Sequence, residues 1–348
     1  MNASTPESRL PYLTAEYPGI GGVMRVEPED FQVEERPLYL PCGEGEHLYL
    51  RITKRGLSTP DLVKKLADTL GVKRMHIGVA GLKDARAVTT QMVSLWGAKP
   101  ETLSRLRNEP RILAVEVLGR HRHRLRTGHH AGNAFRLVLH GVSPEAKSIV
   151  PEVMEQLQRR GVPNYFGPQR QGRDGGNYRT GLALLTAPAR RAALGKSKAQ
   201  WYLNAYQAHL FNLMVAARIT TLDHLLEGDW AIKHVNGACF EVVDVVAEQP
   251  RADRLEISPT GVLFGSRAPW ATGEAGRIER KVVMEQGLTP EALTEAATAC
   301  RFRGERRALR IPLAELDWNL EGDRLTLAFV LPPGSYATSV LRELMKSD

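Results

Sequence analysis

The sequence predicts a soluble α+β protein, on two observations. Short apolar runs and period-two alternations, which mark strands, are interspersed with segments of helical spacing, and the two kinds do not alternate regularly. The chain has 348 residues, of which 43% are hydrophobic and 25% charged. That is enough for a buried core in two domains, or in one domain with a large insertion. A largely disordered chain is excluded. No apolar run approaches the roughly 20 residues of a membrane span, so no membrane-embedded protein is expected. Residues 1–11 are polar and contain Glu7, so no signal peptide is expected either. Cys42, Cys239 and Cys300 stand far apart and form no CxxC pair. Reduced thiols in a cytoplasmic protein are the simplest reading.

The elements follow in order. Thr59-Pro60 precedes Leu62, Val63, Leu66, Ala67 and Leu70, which are spaced as one helical face. Thr59 is the expected N-cap, Pro60 suits the first turn, and Gly71 suits the position past the end. Ile77 to Ala80 and Met92 to Trp96 read as strands, with GLKDARAVTT (81–90) between them. Phe135 to Leu139 is a further strand, and Ser143-Pro144 opens a helix ending near Gly161. GRDGG (172–176) is too rich in glycine for regular structure. Leu203, Tyr206, Leu210, Phe211 and Met214 mark a helix within 201–218 whose apolar face belongs to a core. From Thr221 to Arg280 short runs are broken by Gly and Pro, and the pattern resolves no clear elements. Leu325, Leu327, Phe329 and Leu331 alternate as a strand, Pro332-Pro333-Gly334 ends it, and Ser335 to Met345 forms a closing helix.

The net charge of +8 points to a polyanionic partner, and its clustering sharpens the point. RHRHRLR (120–126) holds four Arg and no acid. RRAALGKSK (190–198) holds four basic residues and no acid. Residues 301–310 hold five Arg against Glu305. On a strand, Arg120, Arg122, Arg124 and Arg126 would share one face and match a row of phosphates. The competing reading is a solvated sheet face. His121, His123, His129 and His130 have no Cys or carboxylate at ligand spacing, so no metal is expected.

Three segments carry candidate chemistry. GVAGLKDARAVT (78–89) brings a strand to a glycine turn and then to Lys83, Asp84 and Arg86. A loop carboxylate between two cations suits a nucleophile or a base; a surface turn with a solvated Asp is the alternative. No P-loop pattern or GxSxG elbow occurs. NYFGPQRQGRDGGN (164–177) sets two aromatics, amides and Arg among glycines, which suits phosphate or base edges, or a structured inter-domain turn. GSYATSVLRE (334–343) joins a turn to a helix start at Tyr336, which is either a base-stacking platform or a core aromatic.

Seven segments together resemble the TruD family of tRNA pseudouridine synthases. They are GGVMRVEPEDFQVEE (21–35), GEGEHLYLRITKRGLST (43–59), AGLKDARAVTTQ (80–91), GNAFRLVL (132–139), GVPNYFGPQRQG (161–172), LNAYQAHLFN (203–212) and LPPGSYATSVLRE (331–343). GLKDxxAxT followed by NYFGxQR is the most specific pair, and 215–300 shows no matching motif. The resemblance implies a pseudouridine synthase α+β catalytic domain, residues 1–160 and 312–348, with an inserted α+β TRUD domain, residues 161–311. It implies isomerisation of uridine to pseudouridine in tRNA at uridine 13 of the D-arm. tRNA is then the partner, a monomer is the default, and no cofactor is expected because the isomerisation needs neither redox step nor group donor. The family's catalytic aspartate falls on Asp84. Its substrate-contacting aromatics fall on Phe31, Phe135 and Tyr336, its amide contact on Asn133, and its basic residue, often Lys, on Arg25. Lys83 is the alternative cation beside the carboxylate. Gln171 stands where FGxQRFG members have Phe, and Arg173-Asp174 change the loop that follows. The competing readings are a non-catalytic tRNA-binding protein and a metal-dependent nuclease using Asp84 and the histidines.

Overall fold

The computed structural model describes residues 10–172 and 174–347. Residues 1–9 and Arg173, on which two of the expectations partly rest, lie outside them. The first half contains β1 Gly21–Met24, β2 Phe31–Pro37, β3 His47–Arg55, α1 Thr59–Leu70, β4 Ile77–Val79, β5 Val88–Trp96, β6 Ile112–His121, β7 His130–Val142, α2 Ala146–Arg160 and β8 Val162–Pro163. Then come α3 Asn177–Thr186, α4 Pro188–Leu194, α5 Lys196–Ala217, β9 Trp230–Lys233, β10 Cys239–Glu241, α6 Val245–Asp253, β11 Ile257–Leu263, α7 Gly273–Glu285 and α8 Pro290–Ala299. The chain closes with β12 Glu305–Ala308, β13 Arg310–Ile311, β14 Ala314–Glu321, β15 Arg324–Leu331 and α9 Ala337–Met345. The class is α+β.

Two compact units result. One comprises Ile20–Lys147 and Leu313–Ser335. Its nine strands form one sheet, ordered β14-β15-β7-β2-β5-β3-β6, with β1 on β7 and β4 on β5. Among the described residues only β2 and β5 pair in parallel. Helix α1 is capped by Ser58, whose hydroxyl accepts from Asp61 N at 3.2 Å, so the cap lies one residue before the expected Thr59. Gly71 ends the helix in the left-handed region, at φ 70°. Leu62, Leu66 and Leu70 pack on Leu48, Leu50, Ile52, Val93 and Leu95, and each such burial contributes about 1.5–3 kcal/mol. In β2, Phe31, Val33 and Glu35 are buried while Gln32, Glu34 and Arg36 are exposed, so one face of the sheet is the core face.

The other unit comprises 10–19, Ser148–Pro312 and 336–347. It holds a four-stranded sheet, β10-β9-β11-β12, and the pair β13-β8. The expected core face of α5, from Leu203 to Met214, is buried. The unread stretch 221–280 resolves into β9, β10, α6, β11 and the start of α7. These units do not follow the boundaries at 160/161 and 311/312. Most of α2 and all of α9 fall in the unit formed with 10–19 and the rest of 148–312, for identifiable reasons. Glu343 accepts from Thr14 N at 3.0 Å and from Thr14 Oγ1 at 2.7 Å. Tyr165 Oη donates to Pro11 O at 3.1 Å, and Arg310 Nη1 donates to Arg160 O at 2.7 Å.

Candidate active site

The register of the large sheet lines up its chemistry. Lys54 lies opposite Thr89, and Ile52 opposite Gln91. Glu35 lies opposite Asn133, and Val33 opposite Phe135. Asn133 and Phe135 in turn lie opposite Leu331 and Phe329. Residues directly opposite share a face. A buried polar row of Gln91, Glu35 and Asn133 therefore runs beside an aromatic cluster. Phe31 meets Phe135 edge-on at 6.3 Å, and Phe135 meets Phe329 at 5.6 Å.

The loop 80–87 leaves β4 over this face. It is tied at its ends, by Gly128 N donating to Ala80 O at 2.8 Å and by Gly56 N donating to Ala87 O at 3.1 Å. Its middle is tied through Lys83. The Lys83 backbone N donates to Thr59 Oγ1 at 2.8 Å, and Thr59 Oγ1 donates to Gln91 Oε1 at 2.9 Å. Lys83 Nζ forms an ion pair with Glu35 Oε2 at 2.7 Å, with both side chains almost fully buried, 4% and 1% exposed. Glu35 Oε1 accepts from Met92 N at 3.1 Å. A Cβ on Gly81 would stand 3.2 Å from Lys83 Nζ and 3.5 Å from His130 Cε1, so glycine there leaves room for the lysine.

Asp84 points outward from this anchored loop, 55% exposed. Its Oδ2 accepts from Arg25 Nη2 at 2.8 Å. Among the described residues Oδ1 has no hydrogen bond. Arg25 itself sits at φ +60°, a region sparsely used by residues other than glycine. Its guanidinium lies 4.0 Å over the Phe31 ring. The turn that presents it is fastened by Asp30, which accepts from Glu27 N at 2.9 Å and pairs with His140 Nε2 at 3.0 Å. Burial works against the Asp30 charge, but the Glu27 N–H and His140 outweigh it and hold its carboxyl below the usual range. Burial, then the Lys83 charge, lowers the His130 pKa against the pull of Glu35. Lys54 is fully buried and donates to the Leu57 carbonyl. Burial, then Lys83, lowers its pKa to about 8 against Asp84 and Asp61.

Arg25, Phe31, Lys83, Asp84, Asn133 and Phe135 thus belong to one unit. Asn133 is buried, with Oδ1 unpartnered. Tyr336 belongs to the other unit, where its ring lies 6.3 Å from Phe166. Phe166 is clamped by Asn212, which accepts from its N at 2.7 Å and donates to its O at 3.0 Å. Gln171 donates to Ala205 O at 3.1 Å. The sequence reading missed Glu35 and Lys54. Both stand on the apolar side of an alternation, Phe31-Val33-Glu35 and Leu48-Leu50-Ile52-Lys54, and that placement was their signal.

Two of the basic stretches differ from expectation. β6 ends at His121, so Arg122 to Arg126 do not form a strand or a row of guanidiniums. Arg122 pairs with Glu44, and Arg124 donates to the Ile77 carbonyl. In 301–310, Arg306 pairs with buried Glu279 at 2.8 Å. Arg307 donates to Asn164 Oδ1 at 2.7 Å and lies 4.2 Å over Phe166. Arg310 is fully buried, and burial lowers its pKa to about 10. Among the described residues no three His, Cys, Asp or Glu side chains form a group able to hold a metal ion, and no helix is long and apolar enough to cross a membrane.

Comparison with known proteins adds a family. The profile described as tRNA pseudouridine synthase D (TruD) matches residues 9–197 and 191–344. A tRNA pseudouridine synthase D of Thermus thermophilus is 45% identical over 349 residues, covering 98% of this chain and 93% of that one. That of Geobacter sulfurreducens is 42% identical over 398, covering 96% of each. A crystal structure from Methanosarcina mazei, assigned to tRNA pseudouridine synthase D (TruD), superposes with a TM-score of 0.78 at 25% identity, covering 97% of this chain and 96% of that one.

Proposed function

The chain belongs to the TruD family of tRNA pseudouridine synthases, and from that premise we propose that it isomerises uridine 13 of the tRNA D-arm to pseudouridine with Asp84 as the catalytic carboxylate. The unit bearing Asp84 is then the pseudouridine synthase catalytic domain, and the TRUD insertion lies in the other. The observation that carries the reading is the state of Asp84: Oδ2 is held by Arg25 while Oδ1 has no protein bond among the described residues. Attack at the ribose C1′ and removal of the C2′ proton both need such an oriented carboxylate with one oxygen available. Asn133 Oδ1, buried and unpartnered, suits the uracil N3–H, because a buried acceptor without a donor is costly. Phe31 supports Arg25 from below, with Phe135 packed behind it. The isomerisation transfers no electrons and uses no donor group, so the proposal calls for no cofactor. A tRNA substrate places the protein in the cytoplasm.

The test is an incubation of purified protein with an unmodified tRNA transcript, followed by pseudouridine detection. Wild type forms pseudouridine. Asp84→Asn binds the tRNA and forms none. Substantial turnover by Asp84→Asn would overturn the assignment, and binding by wild type without product would favour a non-catalytic tRNA-binding protein.

A further inference from the structure

The segment 122–129 builds a feature that the catalytic assignment leaves unused. With the end of β6 and the residues after β2 it borders an open surface cavity of about 460 Å³, lined by Tyr39, His121, His123, Arg124, Arg126 and His129, with Leu40 at its side. That size falls in the range of sites for small ligands. None of the lining residues is a carboxylate. The Tyr39 ring stacks on His121 at 5.2 Å with an interplanar angle of 27°. Its hydroxyl lies 2.8 Å from His129 Nδ1. Tyr49 supports His121 edge-on from beneath at 5.2 Å. Arg126 is exposed and has no ion pair among the described residues, and Leu40 is exposed despite being apolar.

The wall is fixed to the elements that carry the Asp84 loop. Leu125 N donates to Ser94 Oγ of β5 at 2.9 Å, Arg124 donates to Ile77 O of β4, and Gly128 N donates to Ala80 O at 2.8 Å. Cavity and loop therefore share one rigid frame, as a subsite serving the same substrate requires.

We propose that this cavity is a subsite for a tRNA nucleotide other than the target uridine, its base extending the Tyr39–His121 stack and its phosphate held by Arg126. Stacked rings beside unpaired guanidinium charge are the chemistry that holds a single-stranded nucleotide without reading its sequence. An extruded target leaves its neighbours unstacked, and a second platform offsets part of that cost. The inference rests on the tRNA-modifying reading and adds a site to it.

The test compares wild type, Tyr39→Ala, Tyr39→Phe and Arg126→Ala by tRNA dissociation constant across salt, with KM and kcat on the same transcript. Tyr39→Ala weakens binding roughly 5- to 100-fold, the range of one lost base stack, and the loss appears in KM more than in kcat. Tyr39→Phe keeps the ring and binds like wild type; because Tyr39 also packs on Tyr49, Ala80, Met92 and Leu125, thermal unfolding of Tyr39→Ala is measured beside wild type, and weaker binding at an unchanged melting temperature assigns the loss to stacking. Arg126→Ala reduces the slope of log K against log salt by about one. Wild-type affinity in Tyr39→Ala together with an unchanged slope in Arg126→Ala overturns the subsite, as does a wild-type protein with no tRNA affinity. Failure of the isomerase reading shows separately, as tRNA binding without pseudouridine.

Discussion

Replacing Glu35 by Gln tests whether the buried pair beneath the loop holds Asp84 in place. Glu35 and Lys83 meet at 2.7 Å with side chains 1% and 4% exposed. Gln keeps an acceptor for Met92 N, which now bonds Glu35 Oε1 at 3.1 Å. The cost therefore comes from a lysine ammonium left buried without its counterion. Removing one partner of a buried pair costs about 3–5 kcal/mol. At roughly 2–4 °C per kcal/mol for a unit of this size, the melting temperature falls by at least about 6 °C. Lys83 directly precedes Asp84, and a displacement of about 1 Å in a reacting group costs on the order of 100-fold in rate. Glu35→Gln is thus expected to lose activity beyond its loss of stability, even well below its melting temperature. The double variant Glu35→Gln/Lys83→Met removes the stranded charge and recovers most of the stability, but not the activity. Thermal unfolding and single-turnover kinetics read both effects. A single variant as stable as wild type, or a double as unstable as the single, would show that the buried pair does not hold the loop.

Three further outcomes follow from the same geometry. Arg25→Ala removes the charge-assisted bond to Asp84 and the guanidinium over Phe31. It should lower kcat roughly 10- to 100-fold while tRNA affinity holds, and Arg25→Lys should recover part of the loss; equal kcat in all three proteins would exclude Arg25 from orienting Asp84. Thr59→Val leaves the Lys83 N–H without its acceptor and should cost about 1–3 kcal/mol, measured by urea unfolding, and a stability equal to wild type would show that the loop does not depend on this anchor. Lys54 has its pKa lowered by burial to about 8 from 10.5. Below pH 8 both states hold the proton and the folded state bears the full cost; between 8 and 10.5 only the unfolded chain keeps it, so stability rises with pH in that window. Lys54→Met should therefore be more stable than wild type at pH 7, with the gap narrowing towards pH 10, and a gap independent of pH would contradict the buried charge.

Parts of this architecture are legible in the sequence for clear physical reasons. Helix α1 has one buried and one exposed face, β15 alternates fully buried with less buried positions, and the apolar residues of α5 recur at helical spacing, so periodicity reveals all three. β11 is buried at every position and contains Pro259 and Gly261, so it has no alternation to read. RHRHRLR alternates in charge alone, with Leu125 as its buried residue, and charge alternation without an apolar face does not make a strand. Arg306 and Arg310 look like surface charge because the groups that permit their burial, Glu279 and the carbonyls of Arg160 and Ala252, are distant in sequence. Asp84 differs again. Local sequence marks it only as a charged turn, and the role proposed for it comes from the family motif around it. The structure adds the Glu35, Thr59 and Gln91 connections that no spacing rule links to that loop.

The proposed function rests on modification of uridine 13 of tRNA through Asp84. Mapping pseudouridine in tRNA from cells lacking the protein, with and without restored wild type or Asp84→Asn, tests it most directly. Uridine 13 should be unmodified in the deletion, with pseudouridine restored by wild type and none restored by Asp84→Asn at equal protein level. Pseudouridine at position 13 in the deletion, or its restoration by Asp84→Asn, would contradict it.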